Sequence, residues 1–76
     1  MQRLKPCILR GDGTSYDLTP DDEWTLLPVA RDVAVKGYLA NLMRGGLHFP
    51  DMQLCIMDGE EIVDTFDTET AEWRNA

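Results

Sequence analysis

The chain has little of the material from which most active sites are made. It holds one histidine, His48, and two cysteines, Cys7 and Cys55, among 76 residues. A catalytic imidazole needs a nucleophile and an orienting group beside it, and His48, lying in Leu-His-Phe-Pro-Asp, has no second histidine to share the work. One histidine with two widely separated cysteines does not make a zinc ligand set, so no catalytic residue, metal or cofactor is expected. No stretch approaches the ~20 apolar residues that cross a bilayer. The opening Met-Gln-Arg-Leu-Lys-Pro lacks the apolar stretch and small-residue cleavage site of a secretory leader. A cytoplasmic location is therefore expected, in which the cysteines serve as small buried hydrophobes and could be bridged only if their strands are neighbours. Repeats, linkers and low-complexity segments are also missing, leaving residues 1–76 as a single small domain with one core.

Positive charge is scarce as well. Seven Lys and Arg stand against 14 Asp and Glu, a net charge of -7. The imbalance is uneven along the chain: residues 1–10 have three bases and no acid, 11–23 five acids and no base, 24–50 three bases and one acid, and 51–76 eight acids and one base. Phosphate binding requires a basic stripe that displaces counterions. A direct nucleic-acid ligand and an anionic membrane are thus excluded as expected partners.

Punctuation by glycine and proline outlines the fold. Gly11-Asp12-Gly13 between two strand-like runs predicts a hairpin over about 3–18, with Pro6 placing its strand at an edge or leaving it paired on one side there. Thr19-Pro20-Asp21-Asp22-Glu23 has the marks of a helix start, namely a capping hydroxyl, a proline at the first turn and acids at the positive end of the dipole. It predicts a short helix over about 20–27 that Pro28 ends. Ala34, Val35, Tyr38, Leu39, Leu42 and Met43 then follow helical spacing, and Gly45-Gly46 supplies a stop, predicting a helix over about 29–44. Its valines leave a strand over 33–39 as the alternative.

Asp58-Gly59 between alternating apolar runs predicts a second hairpin over about 52–67 with a two-residue turn. In that register Ile56 faces Glu61 and Leu54 faces Val63. Met52, Leu54, Ile56 and Val63 then share one sheet face, while Gln53, Cys55, Met57, Ile62, Asp64 and Phe66 share the other. The final Thr-Glu-Thr-Ala-Glu-Trp-Arg-Asn is read as a helical turn capped by Thr68 or a frayed end, with Trp73 docked on something. The expected fold is α+β: two hairpins in an antiparallel sheet packed on one or two helices.

Known motifs fail on inspection. Asp12 to Glu23 has the length of a calcium loop, but Thr14 and Tyr16 stand at ligand positions and Asp17 where the loop needs glycine. Arg10-Gly11-Asp12 spells a cell-adhesion tripeptide but sits in a predicted turn. What remains is an acidic surface beside two tryptophans. Asp21, Asp22, Glu23 and Trp24, with Glu60, Glu61, Asp64, Asp67 and Trp73, are the candidate partner-binding residues, an aromatic anchor with a charged rim facing a basic protein. The expected function is a non-enzymatic regulator or inhibitor that binds a basic protein surface, in its sharpest version as a nucleic-acid mimic. The bland reading is that the rings cover a small core and the acids keep the domain dissolved and its sheet edges unpaired. The alternative from another class is an assembly subunit that forms a homodimer through the mixed sheet face.

Overall fold

The computed structural model describes residues 3–46 and 50–75, so His48 lies outside the described residues. Strands β1 (Leu4–Leu9) and β2 (Ser15–Asp17) precede helix α1 (Leu27–Met43), which is followed by β3 (Gln53–Asp58), β4 (Glu61–Asp67) and β5 (Glu72–Asn75). The strands form one antiparallel sheet in the order β2-β1-β3-β4-β5, and α1 covers one face, which makes a two-layer α+β domain. Both hairpins form where the glycines predict them.

Strand β1 is interior, between β2 and β3. Pro6 is accommodated because its carbonyl accepts the Leu18 N–H at 2.9 Å on the β2 side. The donor it lacks would point the same way, where β2 has already ended at Asp17. Leu4 extends that flank by exchanging two backbone hydrogen bonds with Trp24, at 2.8 and 2.9 Å. This pairing holds residues near 24 extended, and 20–26 form no helix despite their local signals. Long-range pairing has overridden capping chemistry here; Thr19, the expected cap, has a buried hydroxyl with no hydrogen-bond partner among the described residues.

Helix α1 therefore starts later, with Pro28 inside its first turn instead of between two helices. Proline is tolerated there because a first-turn N–H has no intrahelical acceptor to lose. At the other end Gly45, at φ 67°, lets its own N–H reach the Leu42 carbonyl and the Gly46 N–H reach that of Asn41. This paired reversal is the Schellman stop that the two glycines predict.

The helix faces the sheet with small residues. Ala30, Ala34 and Asn41 are buried, and a Cβ on Gly37 would come within 3.8 Å of Leu18. Of the residues that follow helical spacing, Ala34 is buried and Val35 and Tyr38 are half-buried, whereas Leu39, Leu42 and Met43 are exposed. Apolar residues occupy the whole circumference of α1, so periodicity cannot choose the inner face. Close approach chooses it, and the narrow Ala-Ala-Gly stripe permits the closest. The core consists of Ala30 and Ala34 against Leu4, Leu54 and Ile56, with Leu18, Trp24, Leu27, Phe66 and Trp73 among the side chains packed around it.

The β3–β4 hairpin turns one residue later than predicted, which shifts its strand pairing by two residues. Asp58 pairs with Glu61, so the turn is Gly59-Glu60, with Gly59 at φ 64° as its first central residue. Met57 pairs with Ile62 but Ile56 pairs with Asp64, leaving Val63 as the extra residue of a β-bulge. Each extra residue swaps the faces of the residues after it. Asp64 and Phe66, expected on the outer face, consequently turn toward the helix.

Asp64 is fully buried there, and its Oδ2 takes the Arg31 Nε of α1 at 2.5 Å. Arg31 keeps about a third of its side chain in solvent (32%). The expected C-terminal helical turn is not formed; β5 pairs with β4 instead, Trp73 opposite Phe66 with ring centroids 5.1 Å apart. Aromatic pairing of this kind is favourable beyond its area. The link between β4 and β5 places Ala71 at φ 57°, a left-handed conformation that costs a Cβ-bearing residue about 1–2 kcal/mol.

The Arg31–Asp64 pair is asymmetric, and its two halves should fail differently. Arg31→Met strands a fully buried carboxylate and is expected to cost about 3–5 kcal/mol; Asp64→Asn leaves an arginine that water already reaches and should cost roughly 1–2 kcal/mol. Urea melts of both variants measure the order. Ala71→Gly should raise stability by about 0.5–1 kcal/mol in the same assay, the relieved strain being partly offset by a more flexible unfolded chain.

Candidate functional site

Leu4 is bonded to Trp24 on one side and lies opposite Asp58 on the other. This double pairing brings two segments more than thirty residues apart to one end of the sheet. Asp21, Asp22 and Glu23 arrive by the loop leading to Trp24, while Glu60 and Glu61 arrive by the β3–β4 turn, and all five are exposed. Asp58, half-buried, joins them although the sequence had not singled it out. Arg3 and Lys5 are the nearby bases; Arg3 reaches Glu23 at 3.9 Å, and Lys5 turns to Asp17 at 3.7 Å. No local signal could have joined the two acidic segments, because a backbone pairing across the fold joins them.

The structure withdraws the other candidates from this cluster. Asp64 is inside the protein on Arg31. Asp67 and Trp73 lie at the far end of β4, about 20 Å away by the rise of a six-step strand. Asp67 closes the β4–β5 link: it accepts the Glu69 N–H at 2.9 Å and holds Arg74 at 3.2 Å. The Glu69 N–H bond, with further help from Thr70 and Arg74, lowers its pKa from the ordinary carboxylate value. Trp24 is half-buried against the core with its indole N–H inside, and Trp73 is half-buried on Phe66. Both rings cover the core, as the bland reading had it.

Several polar groups elsewhere are engaged with their neighbours. A shallow depression at the far end of β4 is lined by Gln53, Thr65, Phe66, Asp67 and Arg74. Gln53 donates to the Leu54 and Phe66 carbonyls. The 10–14 turn is tied to the loop before β3, since the Gly11 N–H donates to Asp51 at 3.0 Å and Arg10 reaches the same carboxylate at 3.4 Å. Asp12 accepts from both the Thr14 hydroxyl and its N–H, and those bonds lower its pKa. Among the described residues no three His, Cys, Asp or Glu side chains converge as a metal ion would need. No described helix is long and apolar enough to cross a membrane.

Compared with models of known protein families, with curated proteins and with solved structures, the chain matches none.

The cysteines prove to be neighbours. Cys7 and Cys55 are opposite residues on β1 and β3, on the sheet face away from α1, and both are buried free thiols. Burial pushes Cys7 up to about 12, with the Asp17 carboxylate adding to it, and raises Cys55 to about 11 by burial alone. Both are protonated in the fold at neutral pH, and a thiol without thiolate character is a poor nucleophile. Thiol reagents at pH 8 should accordingly label the native protein far more slowly than the urea-unfolded chain. Above about pH 9 the unfolded chain releases protons that the folded one retains, so stability should fall as pH climbs from there toward 12. Cys7→Ala with Cys55→Ala should flatten that alkaline slope in urea melts.

Proposed function

We propose that this chain is a non-enzymatic binding module, a regulator or inhibitor that applies the acidic end of its sheet to a basic surface on another protein. Asp21, Asp22, Glu23, Glu60 and Glu61 are the contacting carboxylates, with Asp58 behind them. One observation carries the reading: Leu4 pairs with Trp24 and with Asp58, which gathers two acidic segments on a framework of backbone hydrogen bonds. Carboxylates held on strands and tight turns are already ordered before a partner arrives, which lowers the entropic cost of binding. Their summed field steers a cationic surface toward that end and supplies selectivity more than raw affinity.

Charge reversal tests this. Glu60→Lys with Glu61→Lys, and separately Asp21→Lys with Asp22→Lys, change exposed side chains and should leave the thermal melt close to that of the parent. A partner captured by the parent at low salt should be released at high salt, and its affinity should drop at least about tenfold in either variant. Displacement of the partner by duplex DNA or RNA would identify its basic surface as a nucleic-acid groove. A partner held equally by both variants, or retained regardless of salt, overturns the proposal.

A further inference from the structure

Among the described residues the most exposed large apolar side chains lie on and beside the helix: Leu26, Val29, Leu39, Leu42 and Met43, with Met43 88% exposed. The outer face of the sheet, by contrast, keeps Leu9, Met57 and Ile62 half-buried. Along the outer side of α1, Val29, Asp32, Lys36, Leu39 and Met43 recur at steps of three and four, the spacing of a helix-pairing seam. This stripe is opposite the Ala30, Ala34, Gly37 and Asn41 stripe that meets the sheet. The most exposed apolar side chains of the helix, Leu39 and Met43, thus lie away from its Ala-Ala-Gly stripe.

The charges on this seam favour one partner. Asp32 and Lys36 are its ionised residues, exposed and bridged at 2.9 Å within the helix. Laid beside a parallel copy, Asp32 would meet Asp32 and Lys36 would meet Lys36. In an antiparallel copy crossing at the level of Ala34, each Asp32 meets the opposing Lys36. In that same register Val29 comes opposite Leu39, once on each side of the charges. One register matches opposite charges at the centre and apolar side chains on both sides of it.

We infer that α1 is a homodimerisation surface, on which two copies pair antiparallel about a twofold axis level with Ala34. A self-complementary patch of this kind is what a closed twofold interface requires. Opposite charges at the middle of an apolar seam set orientation and register, since the parallel arrangement brings like charges together. This surface is separate from the acidic end of the sheet, and either can fail without the other.

Sedimentation equilibrium over a concentration series is the test, with far-UV circular dichroism to confirm folding. The parent chain should sediment as a dimer. Leu39→Glu with Met43→Glu should weaken the dimer at least tenfold with the fold retained, and Asp32→Lys should do the same by setting like charges against each other. Asp32→Lys combined with Lys36→Asp exchanges the signs, preserves both the intrahelical and the intermolecular pairing, and should restore the dimer. Should the Glu variants fail to fold, the charge series still decides. A parent that stays monomeric to its solubility limit overturns the inference. So does a dimer indifferent to Asp32→Lys, or one that the charge exchange does not rescue. A dimer abolished by Met57→Lys but unaffected by the helix variants would place the interface on the sheet and overturn it equally.

Discussion

A carboxylate with no solvent around it must have a cation, and in this domain that requirement ties the two layers together. Val63 inserts itself into β4, the faces downstream of it exchange, and Asp64 is delivered beneath the helix, where Arg31 meets it. A buried ion pair is weak as a source of stability, because desolvation consumes much of the attraction. It is strong as a constraint. Any slide of the hairpin by one residue, or rotation of α1 about its axis, would leave the charge unpaired, which selects one docking of helix on sheet from the many that apolar contact alone would tolerate. The narrow stripe of Ala30, Ala34 and Gly37 complements it by allowing the helix to settle close to the strands.

How far the architecture could be read from residues depended on the range of the interaction behind each feature. Gly11 to Gly13, Asp58-Gly59 and Gly45-Gly46 mark chain reversals, which are decided within a few residues; the first and last occur where the sequence puts them, and the second is displaced by one residue to Gly59-Glu60. The register of the second hairpin was not legible, because the turn closes on Gly59-Glu60 and a bulge, held by the distant Arg31, then displaces the strand again. The signals at Thr19 to Glu23 describe a good helix start in isolation, but the backbone bonds of Trp24 to Leu4 outweigh them. Strand β5 needed a neighbouring β4 edge and the Phe66 ring before Trp73 could declare itself. Spacing alone could not assign the inner face of α1, because size, not polarity, distinguishes it.

The same division applies to the acidic surface. Composition announces the excess of carboxylates but not their grouping, and local spacing suggested a continuous ribbon from Glu60 to Asp67. Folding divides that ribbon three ways: Glu60 and Glu61 at one end, Asp64 inside, and Asp67 committed to its own turn at the other. Asp21 to Glu23, remote in sequence, replaces what was lost. The carboxylates of the domain thus gather toward one end of its strands, whereas its apolar exposure lies on the helix layer.

The sheet ends in very short strands, β2 with three residues and β5 with four, the latter carrying Glu72 and Arg74. Edges this brief and charged offer few consecutive free backbone groups to an incoming chain. An incoming strand, as in templated growth of cross-β fibres, therefore finds little at either rim to pair with.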